Sequence, residues 1–300
     1  MRISPVVRSL LLPFAVLFAA APVVFPAAPA GKVLRFRPKE GDTAVYDCKL
    51  SSRAEGKSDD GERLRAEISL SMKSTAEFLG DTASGDYGVR GTIESGTLKV
   101  SVDGTQHEAE LPQYTEKFIV SNRGEMKSQS VVSGDPPVLM YGGLLLVLGP
   151  DEPLLLGGTA IFPDKPLQKG DKWKGTAHVP LPRGGEYNDW DYQSVLLGEE
   201  SWRGSNCHRI KTTISGTISE AVDAPDGSGT LRVSSKITSV DIWLFDSKRG
   251  LIVYSERSTR LATTVKLIVD GEVVREQTTS GVLNEKNVLT EYNGVSVGAR

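Results

Sequence analysis

The chain has 300 residues, of which 24% are charged, and a formal net charge of −3. Basic and acidic residues are mixed along it, without the clustered lysine and arginine that would follow a phosphate backbone, so no nucleic acid is expected as a partner. Its three histidines and two cysteines do not have the spacing of a zinc site. We therefore predict no metal and no cofactor.

The first thirty residues have the pattern of a secretory signal peptide. Arg2 and Arg8 precede an apolar stretch over residues 10–25, and Ala28-Pro29-Ala30 supplies the small residues of a cleavage site. Prolines interrupt the stretch, which is shorter than the roughly 20 apolar residues of a spanning helix. We expect export to the periplasm or the medium, and a mature chain of residues 31–300 without a membrane span.

Residues 31–134 form the first half of the mature chain and alternate with the period of two that is typical of half-buried strands. The clearest alternation covers residues 64–78, where apolar side chains share one face and charged or hydroxylated ones the other. Asp103-Gly104 favours a hairpin turn, because both residues tolerate positive φ. These features predict a large, curved antiparallel sheet with one face in water.

Residues 135–160 interrupt this pattern with an apolar insert. Asp135 is a suitable N-cap, Pro136 suits a first helical turn and Gly149-Pro150 suits a stop, which together predict one short apolar helix. The helix would either complete the core of the sheet or form the wall of a cavity for an acyl chain or other apolar ligand. In the second case the expected contacts are Val138, Leu139, Leu144, Leu145 and Leu148.

The second half, residues 161–284, begins with an extended seam. Two prolines exclude a helix over residues 162–173, Gly170-Asp171 predicts a turn, and Trp173 anchors the strand that follows. Strands then continue, and residues 285–300 are expected to form a C-terminal tail that is frayed in part. The predicted fold class is mainly β, with long antiparallel curved sheets in two similar halves and one short apolar helix inserted between them.

The two halves have the same order of landmarks. Gly41-Asp42 opens the first half as Gly170-Asp171 opens the second, and Phe78-Leu79-Gly80 corresponds to Leu196-Leu197-Gly198. The offsets between such pairs are similar without being constant. We interpret the order as an internal duplication. The alternative is coincidence, since turns in any β protein favour the same residues.

The second half resembles a family of exported bacterial proteins without assigned function. The resemblance covers mainly residues 160–260, with an echo in residues 41–126, and it implies no catalytic residues. It rests on Pro163, Pro166, Gly170, Asp171, Trp173, the strands at Tyr192 and Cys207, and the turn at residues 246–250. The order of long strands around an apolar insert is also similar to the half-barrel of periplasmic lipid-carrier proteins, a likeness of architecture that does not establish function.

Cys48 and Cys207 allow two interpretations. An even number of cysteines in an oxidising compartment is consistent with a disulfide. Both lie in strand-like surroundings, however, where a cysteine also serves as a small buried hydrophobe. Cys207 and His208 are not expected to act as a nucleophile and base, because adjacent residues of a strand point to opposite faces.

Aromatic residues are concentrated in the second half. All four tryptophans lie there, and Trp190 and Tyr192 share one face of a strand. They belong either to the core or to an exposed platform for a polysaccharide or a partner protein.

No set of nucleophile and base is recognisable, so we expect a protein that is not an enzyme and has no catalytic residues. The function that we predict is an exported binding protein of the bacterial cell envelope, for a lipid or other apolar ligand or for an envelope protein. A structural or adhesive module is the alternative, and a hydrolase without a recognisable motif comes third.

Overall fold

Strands account for nearly all the regular structure in the part of the chain that the computed structural model describes. That part comprises residues 31–57, 61, 63–82, 85–134, 138–141, 144–147, 161–180, 187–223 and 229–298. The predicted signal peptide, residues 1–30, lies outside these ranges. The described residues contain no helix. They therefore include no helix that is long and apolar enough to cross a membrane. The predicted mainly β fold class is confirmed.

The strands are, in chain order, β1 Thr43–Lys57, β2 Arg63–Asp81, β3 Tyr87–Val102, β4 Thr105–Glu110, β5 Tyr114–Val120, β6 Met126–Ser133, β7 Val138–Tyr141, β8 Leu144–Val147, β9 Lys172–Pro180, β10 Tyr187–Trp202, β11 Ser205–Asp223, β12 Thr230–Asp246, β13 Leu251–Val269, β14 Glu272–Tyr292 and β15 Val295–Ser296. Thirteen of them form one open antiparallel sheet, and eleven of these follow the order β6-β5-β3-β2-β1-β14-β13-β12-β11-β10-β9. In addition, β4 pairs with β3 and β15 with β14. The edge strands β6 and β9 approach each other without pairing, which shows that the sheet is strongly curved.

The two predicted halves are joined within this sheet, because β1 pairs with β14 from Ala44 opposite Tyr292 to Lys57 opposite Thr278. The predicted C-terminal tail is therefore wrong for residues 285–292, which belong to β14. The inward positions at the start of this stretch hold Glu285 and Asn287, so the alternation of apolar and polar residues that marks a strand is absent there.

The described part of the apolar insert is a hairpin, and the predicted short helix is wrong for these residues. β7 pairs with β8 in antiparallel register, with Tyr141 opposite Leu144. Gly142 and Gly143 stand between the two strands in the sequence, and each would cost a helix about 1 kcal/mol relative to alanine. A two-residue connection instead suits a β-hairpin. The remainder of the insert, residues 135–137, 142–143 and 148–160, lies outside the described residues.

The two Gly-Asp turns make the same hydrogen bonds. In each turn, the glycine N–H donates to the backbone carbonyl of one residue in the next strand. The backbone N–H of that residue donates in return to the backbone carbonyl of the aspartate. The turns are Gly41-Asp42 with Phe78 and Gly170-Asp171 with Leu196. Each aspartate side chain also accepts from the N–H three residues before it. The landmarks that correspond in sequence therefore occupy corresponding positions in the two halves of the sheet.

An aromatic cluster fills one end of the curved sheet. One of its rings belongs to the extended seam with two prolines, residues 162–173. The aromatic plug consists of Phe36, Phe162, Trp243 and Phe245, whose neighbouring ring centroids lie 4.9–5.7 Å apart. The backbone N–H of Phe162 donates to the carbonyl of Arg123 at 2.9 Å, which ties the seam to the turn after β5. Trp173 is buried at the start of β9, as predicted. The seam thus contributes core residues as well as connecting the halves.

Candidate functional site

One row of side chains on the buried face of the sheet changes from polar to apolar as it crosses eight strands. Its members lie directly opposite one another on neighbouring strands, so their side chains are adjacent. The polar row consists of Ser194, Thr212, Asp241, Arg257 and Glu285, on β10 to β14. The leucine row continues it with Leu50, Leu70 and Leu98, on β1, β2 and β3. The buried face therefore presents a polar half and an apolar half at the same level.

Three charged side chains occupy the centre of the polar row. The Arg257 Nε lies 3.1 Å from Asp241 Oδ1, and Arg257 Nη1 lies 3.7 Å from Glu285 Oε2. The side chains of Asp241, Arg257 and Glu285 are only 1%, 14% and 6% exposed. Removing such groups from water costs several kcal/mol each before their mutual attraction offsets it. Counted by formal charge, these three side chains sum to −1.

Neighbouring polar groups fix these charges in place. Ser239 Oγ donates to Asp241 Oδ1 at 2.8 Å. Asn287 Nδ2 donates to Glu285 Oε1 at 2.6 Å and lies 3.3 Å from Ser255 Oγ. Hydrogen bonds to charged groups are stronger than those between neutral ones, so both carboxylates are held in defined rotamers.

Two acceptor atoms of this cluster have no hydrogen-bond partner among the described residues. They are Asp241 Oδ2 and Asn287 Oδ1, and both are buried. A buried acceptor without a partner costs about 1–3 kcal/mol, so native structures rarely keep one without a reason. No group of three histidine, cysteine, aspartate or glutamate side chains within the described ranges is placed to hold a metal ion. The arrangement is suited instead to receiving hydrogen-bond donors.

Further from the plug, the same face of the sheet carries buried apolar side chains together with buried serine and threonine side chains. Ile237 on β12 and Leu283 on β14 are buried. Both lie on the side of the polar row away from the aromatic plug. There, three adjacent strands carry small side chains at one level, namely Gly281, Ala54 and Ala66. Small residues at successive positions allow a ligand or another backbone to approach the sheet closely.

Four of the five predicted ligand contacts lie in the separate two-stranded sheet of the insert. Val138, Leu139, Leu144 and Leu145 belong to β7 and β8, which pair with each other, while Leu148 lies outside the described residues. Their role as ligand contacts stays a prediction. The polar row was not predicted from the sequence. Its signal was Asp241, which stands in phase with Ile237 and Trp243 on the buried face of β12.

The two cysteines are not joined by a disulfide. Cys48 Sγ lies 3.9 Å from Ser74 Oγ, and Cys207 Sγ lies 4.0 Å from the carbonyl oxygen of Ser205. Both side chains are buried in the core. Burial raises the pKa of Cys207 to about 12, so its thiol stays protonated at neutral pH. A thiolate nucleophile, which would need a lowered pKa, is not available at this position.

His208 gives the stability of the fold a pH dependence that can be measured. Burial, assisted by Lys32, lowers the pKa of the His208 imidazole below its ordinary value. The unfolded state therefore binds a proton more readily, and stability falls as the pH drops below about 6.5. We expect His208→Gln to lose less stability than the wild type between about pH 7.5 and about pH 5.5, as measured by urea denaturation. Equal losses in the two proteins would show that His208 is not the group responsible.

The aromatic pair on β10 belongs to the core. The Tyr192 hydroxyl donates to the carbonyl of Ile161 at 3.2 Å, and the ring is buried. Trp190 is partly buried and packs against the same cluster. Its ring covers Gly216, where an added Cβ would lie only 2.4 Å from Trp190 Cδ1. The interpretation as an exposed platform for a polysaccharide or a partner is therefore wrong for these two rings.

Comparison with known proteins does not assign the chain to a family. No family model matches the chain, and no curated protein matches it. A structure of lipid–protein interactions in lipovitellin is 12% identical with a TM-score of 0.44 and covers 88% of this chain. A candidate lipoprotein from Parabacteroides distasonis ATCC 8503 is 12% identical with a TM-score of 0.27 and covers 87% of this chain and 100% of its own. The chain spans about a quarter (26%) of the lipovitellin chain that it matches. A likeness at these values says nothing of ligand or activity.

Proposed function

We propose that this chain is an exported, non-enzymatic binding protein of the bacterial cell envelope, and that it holds an amphiphilic, lipid-like ligand against the buried face of its curved sheet. The observation that carries the proposal is the row that is polar on five strands and leucine on three. Binding sites for small ligands are mostly apolar with a few fixed polar groups, and an amphiphile divides its surface in the same way.

Two further observations support parts of this proposal. The basic residues, apolar stretch and small cleavage-site residues of positions 1–30 support export. Cys207 and His208 are adjacent residues of the types that form a nucleophile and a base. The raised pKa of the Cys207 thiol supports a role other than catalysis for them. The Cys207 side chain serves the core instead.

We also infer that the two halves arose by duplication. The matching hydrogen bonds of the Gly41-Asp42 and Gly170-Asp171 turns support this, because the residues that correspond in sequence make the same backbone contacts. Duplication of a half-sheet would explain how one chain came to build a face with two chemically different halves.

Filling the space above the small residues tests the proposal. Ala54 lies on the buried face of β1 between Ala66 and Gly281, so Ala54→Leu would project a larger side chain into the ligand space. We expect the affinity for N-phenyl-1-naphthylamine, a fluorescent apolar probe, and for amphiphiles that displace it to fall about tenfold, which corresponds to about 1.4 kcal/mol.

The matched control is Lys49→Leu, on the exposed face of the same strand. It adds the same side chain outside the proposed site and should leave the affinity unchanged. Thermal unfolding of both variants verifies that they fold. If wild-type protein, unfolded and refolded to remove co-purifying lipid, binds no amphiphile, the proposal is wrong.

A further inference from the structure

We propose that the ligand's headgroup is a hydrogen-bond donor with positive charge, in chemical terms an amphiphilic amine, and that Asp241 Oδ2 and Asn287 Oδ1 receive its donors. The inference rests on the proposed binding of an amphiphile and specifies the chemistry of its polar end. It assigns a role to two buried acceptors for which the fold itself offers no donor among the described residues.

The first argument is hydrogen-bonding capacity. Each acceptor belongs to a side chain that already uses its other polar atom: Asp241 Oδ1 accepts from Ser239 and Arg257, and the Asn287 amide nitrogen donates to Glu285. Neither side chain can turn to satisfy its remaining oxygen without breaking these bonds. A ligand that carried only acceptors would leave both oxygens unpaired, whereas a donor removes the penalty of at least one.

The second argument is charge. Two carboxylates flank a single guanidinium, so the polar row has a net charge of −1 in a buried setting. Charges interact more strongly there than in water. A carboxylate or phosphate headgroup would add a second negative charge, and the Arg257 guanidinium that could receive it is already held by Asp241 and Glu285. An ammonium headgroup would bring the row to neutrality.

The third argument is position. Asp241 lies on β12 and Asn287 on β14, with β13 between them, so their strands are roughly 10 Å apart. Apolar side chains follow on the same face, with Ile237 on β12 and Leu283 on β14. A headgroup seated between β12 and β14 would leave its alkyl chain along these residues.

A series of amphiphiles that share one chain length separates the contribution of the headgroup to affinity from that of the alkyl chain. Dodecylamine, dodecanol, dodecanoate and dodecyl methyl ether, all below their aggregation concentrations, compete with N-phenyl-1-naphthylamine for the full mature chain. We expect dodecylamine to bind at least tenfold more tightly than dodecanoate, dodecanol to fall between them, and the ether, which has no donor, to bind more weakly than dodecanol.

Substitutions at Asp241 and Asn287 test whether these side chains determine the binding of the amine headgroup. Asp241→Asn removes one negative charge and replaces the unpaired acceptor with a donor, so the preference for dodecylamine over dodecanoate should fall at least tenfold. The matched control is Glu256→Gln, which removes one negative charge from the exposed face of neighbouring β13 and should keep the preference. Asn287→Ser removes the second acceptor and serves as an independent variant if Asp241→Asn does not fold. It should weaken binding of dodecylamine several-fold.

The outcomes separate this inference from the proposed function. Equal binding of the four compounds, tightest binding of dodecanoate, or a preference unchanged in both Asp241→Asn and Asn287→Ser would overturn the donor headgroup and leave amphiphile binding in place. Failure of all four compounds to bind wild-type protein would overturn the proposed function itself, and this inference with it.

Discussion

Phe162→Ala is expected to lower the free energy of unfolding by about 3–5 kcal/mol, the range for removing a buried aromatic side chain. The Phe162 ring is fully buried and contacts the other three rings of the aromatic plug. Its backbone is held by the Arg123 carbonyl, so the seam cannot move inward to fill the cavity. Urea denaturation followed by tryptophan fluorescence measures the loss.

Val295→Ala is the control for this substitution. Val295 on β15 is 68% exposed, and surface changes of this kind usually alter stability by less than about 0.5 kcal/mol. A loss below about 1 kcal/mol for Phe162→Ala would contradict the packing of the plug. It would mean that the seam connects the halves without contributing to the core.

Arg257→Met is the second large effect, again with an expected loss of about 3–5 kcal/mol. The substitution keeps much of the side-chain volume but leaves Asp241 and Glu285 buried without the guanidinium between them. Breaking a buried ion pair by removing one partner is strongly destabilising, because the remaining charge stays out of water. Denaturant titration at neutral pH is the measurement.

A triple variant separates the cost of broken pairs from the value of the polar row. In Asp241→Leu, Arg257→Met and Glu285→Leu combined, no charge remains in the polar row, and replacing a buried ionic triad with apolar side chains is often neutral or stabilising. We expect the triple variant to be more stable than Arg257→Met alone, while losing its preference for dodecylamine. A triple variant as unstable as the single one would show that packing, and not charge, makes Arg257 important.

Local features of the fold were predictable from short stretches of sequence. The alternation over residues 64–78 became β2, and Asp103-Gly104 forms a hairpin turn in which both residues have positive φ. These predictions succeed because the period of two and the tolerance of positive φ are properties of a few adjacent residues.

Other features depended on neighbours far away in the sequence. The apolar insert has no helical or strand period, so its hairpin pairing could not be distinguished from a helix by pattern alone. Residues 285–292 looked irregular because Glu285 and Asn287 point towards the buried face. They form a strand because β1 and β13 pair with them on either side.

The sequence by itself determined that this chain is built from long antiparallel strands and where many of its turns lie, since both follow from local backbone preferences and side-chain alternation. Only the tertiary structure decided that the two halves share one sheet and that a polar row continues into a leucine row. That row joins residues as distant in sequence as Glu285 and Leu50, and strand register alone places them side by side. Register is set by the whole sheet at once, because a shift of one residue would turn every inward side chain of a strand towards the other face.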